Sequence, residues 1–216
     1  MFYKDSRQVY RVTELDAWPW LIHGFGTRHV DIPAWFANLA TVKQIHSATW
    51  VAAEGRCGIL GQGDALLEDR PGAVIAIKTA DCIPVLLVDE RHHAVAAVHA
   101  GWRGTVARIA AGAVDAMRTR YGSEPRDLHA AIGPGIGKCC FEVGPEVAAQ
   151  FGEQGRVHID LTAANGRQLQ ESGVTPERIY ASNLCTMCQA EDFHSFRRDG
   201  ATAGRLYSFA GITALH

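Results

Sequence analysis

Residues 73–99, AVIAIKTADCIPVLLVDERHHAVAAVH, decide the architecture. Three short apolar runs, 73–79, 83–88 and 94–99, are set off by polar breaks. Runs of this length, rich in Val, Ile and Leu and without strict alternation, are the pattern of strands covered on both faces. Pro84 has no N–H to give to a ladder and is expected at the beginning of its strand. Gly101 breaks the pattern, and over 103–120 the period changes. Val106, Ile109, Ala110, Ala113, Val114 and Met117 share one helical face, with Arg108, Arg118 and Arg120 elsewhere. Tyr121-Gly122 is expected to end that helix.

Working outward, residues 128–132 form a further apolar run that enters the loop Gly133-Pro134-Gly135-Ile136-Gly137. Asp160 is a good N-cap for a helix over 161–172, and residues 179–181 and 206–209 are expected as short closing strands. Strands interspersed with helices imply α/β or α+β architecture. No repeat, low-complexity tract or linker divides the chain, so residues 1–216 are expected to form one domain.

Composition narrows the function classes. The chain has 21 Lys and Arg against 23 Asp and Glu, a net charge of −2. The basic residues are scattered and form no stripe for nucleic acid. Met1 to Arg7 carries charge where a signal peptide needs an apolar stretch, and no segment approaches the ~20 apolar residues of a membrane span, so a cytoplasmic protein is expected. Six cysteines in a reducing compartment are better read as thiols or thiolate ligands than as disulfides.

His99 ends an apolar run immediately before Ala100-Gly101-Trp102-Arg103-Gly104-Thr105, where a side chain emerges at a strand-to-helix turn. Cys82 holds a matching place between two apolar runs, and His46 lies in Gln44-Ile45-His46-Ser47. Two imidazoles and a thiolate suit zinc, and three protein ligands leave the fourth tetrahedral position open for catalysis. Taken singly, each is ordinary: an apolar-flanked Cys is usually a buried thiol, and a strand-end His is usually packed and hydrogen-bonded. Separations of 36 and 17 residues match no short metal motif.

Cys185-Thr186-Met187-Cys188 has the spacing of half a zinc ribbon, but no second C-x-x-C accompanies it, and a structural role is expected. The adjacent Cys139 and Cys140 are expected to shape the glycine loop, being too constrained to act as two ordinary ligands of one zinc. That loop fits neither phosphate pattern: Lys138 stands where the dinucleotide fingerprint needs glycine, and Ile132 where a Walker A loop begins. Gly101-Trp102-Arg103-Gly104-Thr105, opening a helix, is the better anion candidate, through backbone amides and the Arg103 guanidinium. Asp64 and Asp81 are candidate general bases, or partners that orient a ligating histidine.

Six ordered motifs carry a family resemblance: Gln44-Ile45-His46; Gly63-Asp64-Ala65-Leu66; Thr79-Ala80-Asp81-Cys82-Ile83-Pro84-Val85; Val98-His99-Ala100-Gly101-Trp102-Arg103-Gly104-Thr105; residues 132–143, from Ile132-Gly133-Pro134-Gly135 to Phe141-Glu142-Val143; and Phe196-Arg197-Arg198-Asp199. In this order they resemble the YfiH-type laccase-domain proteins. The resemblance implies mixed β-sheets flanked by helices and one zinc per chain, on His46, Cys82 and His99. Catalytic roles are implied for Asp81, Asp64 and Cys82, and substrate or phosphate binding for Arg28, Gln44, Arg103 and Arg198.

Proteins of this kind are described as purine nucleoside phosphorylases that also deaminate adenosine and cleave methylthioadenosine. The expected partners are therefore a purine nucleoside and phosphate, not nucleic acid or membrane. Other members are linked to zinc amidases that edit a misincorporated serine in peptidoglycan precursors such as UDP-muramoyl-serine. The older copper polyphenol-oxidase reading is weaker here, because ten histidines form no H-x-H pair and only Met117 and Met187 offer an internal thioether. Two departures stand out. The segment between Gly24-Phe25-Gly26-Thr27-Arg28 and Gln44 is shorter than is usual in relatives, which removes part of the expected pocket wall near Arg28. Gly135 stands where many relatives carry Cys.

Overall fold

A computed structural model describes residues 1–214. The regular structure of the first half is mainly strand: β1 (Phe2–Lys4), β2 (Val9–Val12), β3 (Leu21–Gly26), β4 (Leu39–Lys43), β5 (Trp50–Ala52), β6 (Gly58–Gln62), β7 (Ala65–Glu68), β8 (Val74–Thr79), β9 (Ile83–Asp89) and β10 (Ala94–Ala100). Helices α1 (Trp102–Val106) and α2 (Ile109–Tyr121) follow, then β11 (Leu128–Ile132), β12 (Glu142–Val143) and α3 (Pro145–Ala148). The chain continues through β13 (Val157–His158), α4 (Leu161–Glu171), β14 (Ile179–Ala181), α5 (Phe196–Asp199) and β15 (Leu206–Ile212).

Thirteen of these strands form two mixed sheets, ordered β1-β2-β3-β15-β8-β4-β6 and β14-β11-β9-β10-β7-β5, and β12 pairs separately with β13. Parity along β9 and β10 defines three layers. Ile83, Val85, Leu87, Ala96 and Val98 face α2 and α4, packing with Ile109, Val114, Met117 and Leu169. Leu86, Val88, Val95 and Ala97 point the other way, onto Phe25, Val42, Ile75 and Ile77 of the seven-stranded sheet. Every residue of β9 and β10 is buried, which is why their sequence is continuously apolar instead of alternating.

The expected strands at 73–79, 83–88, 94–99, 128–132 and 179–181 are present within a residue at each end, and the strand begun at 206 runs on to Ile212. Asp160 caps α4, its Oδ1 accepting from Ala163 N at 2.8 Å. The expected helix over 103–120 is two helices: Arg108 adopts a left-handed φ of 59°, ending α1 after one turn. Gly122 closes α2 at a φ of 74°, a left-handed conformation that glycine adopts without steric cost.

His23, on β3, makes the fold sensitive to acid. Its Nε2 accepts from Val12 N at 3.1 Å in a buried setting, and burial pushes the imidazole down to about 4. A depressed histidine stabilises the fold above the ordinary value near 6.5, and that contribution is lost as pH falls toward 4. Urea denaturation should therefore show about 3 kcal/mol lost over that window through this group. His23→Gln, which keeps an acceptor facing Val12, should flatten that part of the pH profile. An unchanged profile in the variant would remove His23 as its cause.

Candidate metal centre and substrate cavity

Register brings three distant segments together. In β9 and β10, Pro84 pairs with His99 and Ile83 with Ala100, so Cys82 lies next to Gly101 just beyond the ladder. β7 lies on the other side of β10, with Ala65 opposite Val98, and His99 N donates to Asp64 O at 2.7 Å. His46 arrives on the loop after β4. The ligand atoms of His46, Cys82 and His99 all lie within 4.8 Å of one another. The two imidazole rings meet edge to face, with centroids 4.9 Å apart.

Asp64 organises this arrangement from below. It is fully buried, and its carboxylate accepts from Ile45 N, His46 N, Ser47 N and Ser47 Oγ, at 3.3, 3.0, 2.6 and 2.7 Å. Those bonds hold His46 at a φ of 60°, a conformation that non-glycine residues adopt only when their surroundings fix it. Asp64 Oδ1 also accepts from His99 Nδ1 at 2.8 Å, which turns Nε2 toward Cys82 and His46.

The electrostatics favour a thiolate. Burial alone would raise the Cys82 thiol, but hydrogen bonds from His46 and His99 outweigh it and bring the group down to about 7. Burial would lower His99, yet its bonds to Asp64 and Cys82 lift it to about 9. Burial would likewise raise Asp64, but the bonds from His99 and Ser47 hold its carboxyl well below the ordinary range. One thiolate and two imidazoles, converging and hydrogen-bonded from behind, are a donor set that fits zinc.

The centre opens into a cavity of about 520 Å³. Its walls carry four cations, Lys43, Lys78, Arg197 and Arg205, and the apolar faces of Ile136, Phe141 and Phe196. Lys4 alone of the lysines forms an ion pair among the described residues, which leaves Lys43 and Lys78 free to meet an anion. Phe196 is 55% exposed, although it borders a site.

Of the residues expected to bind substrate, Gln44 lies in the cavity lining and Arg28, Arg103 and Arg198 lie outside it. Gln44 lines the cavity, but its amide is spent on the backbone of Lys78, donating to O at 2.7 Å and accepting from N at 2.8 Å. Arg103 is exposed outside the cavity lining, its guanidinium 4.2 Å from the centre of the Trp102 ring, and α1 is too short to present a helix N-terminus to an anion. Arg28 donates to Ala190 O, and Arg198 to Asp199 and the carbonyls of Thr186, Met187 and Phe193. Asp81 lines the cavity at a φ of 87°, but both its oxygens are taken, by Thr186 Oγ1 and Arg197 N, each at 2.7 Å.

Sequence reasoning thus missed the cavity's cations. Lys78 did carry a signal, as the one charged side chain inside an apolar run. Arg197 stands beside the arginine that was singled out, and only the short α5 decides which of the two faces the cavity.

Gly101 shows how tightly the centre is built. A Cβ there would lie 2.9 Å from Cys82 Sγ and 3.3 Å from His46 Cδ2. Gly101→Ala is expected to push the thiol out of place and weaken metal binding at this triplet, read by titrating zinc into metal-free protein, while the circular dichroism of the fold is kept. Unchanged zinc affinity in that variant would show that the thiol is not a ligand.

Comparison with known proteins agrees with this architecture. Residues 28–213 match the family model described as multi-copper polyphenol oxidoreductase laccase. A protein of Deinococcus radiodurans named purine nucleoside phosphorylase is 40% identical over 185 residues, covering 81% of this chain and 70% of that one. Adenosine deaminase RL5, from an unknown prokaryotic organism, is 42% identical over 163 residues, 69% of this chain and 61% of its own length. The crystal structure of YlmD from Geobacillus stearothermophilus superposes with a TM-score of 0.90 at 27% identity, covering 98% of both chains. With two mixed sheets shared over nearly its whole length and six motifs in order, the chain belongs to the multi-copper polyphenol oxidoreductase laccase family, the YfiH-type laccase-domain proteins.

Proposed function

We propose that this protein is a zinc-dependent purine nucleoside phosphorylase that also deaminates adenosine. The observation that carries the reading is a three-ligand centre, His46, Cys82 and His99, opening into a cavity lined by four cations and two aromatic rings. The names of the relatives from Deinococcus radiodurans and of RL5 support the same chemistry. They give no support to a peptidoglycan-precursor amidase. Copper redox chemistry gains nothing from the lining either: it contains no methionine among the described residues, and Met117 is packed in the core beneath the helices.

Each part of the cavity has a task. Phe141, Phe196 and Ile136 offer the flat apolar surface that a purine base stacks on. Lys43 and Lys78 attract phosphate and hold it for attack at the ribose C1′, while Arg197 and Arg205, which donate through Nη1 to backbone carbonyls, add positive potential to the cavity wall. The new bond joins a phosphate oxygen to C1′ while the bond from C1′ to the purine nitrogen breaks. The base leaves with that electron pair and takes up a proton. Bound zinc supplies Lewis acidity, able to polarise a substrate oxygen or to lower the pKa of water toward ~7 for deamination. Asp64 and Asp81, with both carboxylate oxygens engaged, serve as positioning residues for the ligand loop and the cavity wall.

Phosphate kinetics test this assignment. Lys78→Met and Lys43→Met should each raise the KM for phosphate by about tenfold or more, the loss of one charge-assisted hydrogen bond, with zinc content unchanged. Arg103→Ala should leave it where it was. The opposite pattern, with Arg103 dominant, would return the anion site to the turn before α1.

A further inference from the structure

Four thiols that the sequence distributes into two unrelated pairs meet on the far side of the cavity wall. Cys139 and Cys140 follow the glycine loop after β11; Cys185 and Cys188 lie in the turn between β14 and α5. All four Sγ atoms lie within 4.8 Å of one another. Cys188 Sγ is 3.7 Å from Cys139 Sγ and 3.4 Å from Cys140 Sγ. In a tetrahedral zinc site with Zn–S near 2.3 Å, neighbouring sulfurs are about 3.8 Å apart. The expectation that adjacent cysteines cannot share one ion is therefore corrected. Cys140 N and Phe141 N both donate to Gly137 O, at 2.9 and 3.0 Å, and that tight turn is what brings both thiols to the cluster.

The backbone around the cluster is built for this approach. Gly135 pairs with Cys185 in a parallel bridge, donating to Leu184 O and accepting from Thr186 N at 3.2 and 3.0 Å. Gly137 N donates to Cys185 Sγ at 3.2 Å, an amide placed to support a thiolate. A Cβ at Gly137 would sit 3.1 Å from both Cys139 Sγ and Cys185 Cβ, so glycine is what admits the two strands of the loop to each other. Two guanidiniums brace the same backbone: Arg197 donates to the carbonyls of Cys140 and Glu142, and Arg198 to those of Thr186 and Met187. They also offset the −2 charge of one Zn²⁺ with four thiolates.

We infer that Cys139, Cys140, Cys185 and Cys188 bind a second zinc ion in a closed tetrathiolate site. Four sulfurs in a tetrahedron select zinc among common divalent ions, and with no open position the site is structural. Binding releases the thiol protons to solvent and changes no oxidation state. Its effect is local and specific. The first pair lies between Ile136 and Phe141, which line the cavity, and Thr186, between the second pair, donates to Asp81. The ion staples two loops, far apart in sequence, into one rigid wall of the substrate cavity.

The full-length protein, prepared under reducing conditions with zinc supplied, should contain two zinc ions per chain by elemental analysis. Cys82→Ala should retain one, and Cys188→Ser should also retain one. Cobalt loaded into Cys82→Ala should give the intense red-region absorption and thiolate charge-transfer bands of a tetrahedral sulfur site, which decides the matter even where Cys188→Ser fails to fold. One zinc in the unsubstituted protein that disappears entirely with Cys82→Ala would overturn the inference. So would a disulfide among these four cysteines under the same reducing conditions, or stoichiometric iron with inorganic sulfide.

Discussion

Cys82→Ala is expected to remove zinc from the catalytic centre and turnover with it, by about a thousandfold or more, because the Lewis-acid contribution of a catalytic metal is several kcal/mol. A packed core thiol would behave otherwise, since alanine replaces a small hydrophobe with a modest loss of stability. Cys82 is held where hydrogen bonds from His46 and His99 bring it down to about 7, and Gly101 leaves it just enough space. Without the only anionic donor, two imidazoles remain, and they hold zinc far more weakly. Cys57→Ala, at an exposed thiol outside both clusters, should leave metal and activity unchanged.

Asp64→Asn is expected to have the second largest effect, although Asp64 touches no substrate. The carboxylate satisfies three successive backbone amides at Ile45, His46 and Ser47 and also the His99 ring. Asparagine replaces one acceptor oxygen with a donor facing those same donors. Zinc affinity should fall about ten- to a hundredfold, as it does when the partner behind a ligating histidine is lost. Unfolding free energy should fall by about 3 kcal/mol. In the metal-free variant, NMR titration should find His99 moved down from about 9, since its largest raising partner is gone. A His99 that still titrated near 9, with unchanged zinc affinity, would show that Asp64 does not position it.

How much of this was legible in the sequence depended on burial. β8, β9 and β10 were readable because they are sandwiched between other layers, and their apolar runs declare it. The seven strands before residue 69 were not: β1 and β5 are three residues long and partly exposed, β7 is buried but only four residues long, β3 is interrupted by His23 and Gly24, and β6, with Gly58 and Gly61 and only Leu60 partly buried, carries no usable pattern. The split between α1 and α2 falls at Arg108, a residue type that gives no warning of a left-handed backbone.

The convergence of His46, Cys82 and His99 was legible through motif order, not spacing, since pairing between β9 and β10 is what makes residues 82 and 99 neighbours. Substrate residues were harder. Gln44 and Arg198 belong to the motifs, but the Gln44 amide is taken by the backbone of Lys78 and the Arg198 guanidinium by Asp199 and loop carbonyls, while Arg28, outside the six motifs, donates to Ala190 O away from the cavity lining. The cysteine cluster was illegible, because one parallel bridge between Gly135 and Cys185 joins its halves and no local signal announces such a bridge.

The most direct test of the central claim is an analysis of products. Zinc-loaded protein should be incubated with adenosine, with and without phosphate, and the mixtures resolved by mass spectrometry. With phosphate, free purine base and ribose 1-phosphate should form in equal amounts; without phosphate, inosine should form instead. Both reactions should vanish in Cys82→Ala. Adenosine recovered unchanged from both mixtures, after incubation with protein carrying its full zinc complement, would contradict the account.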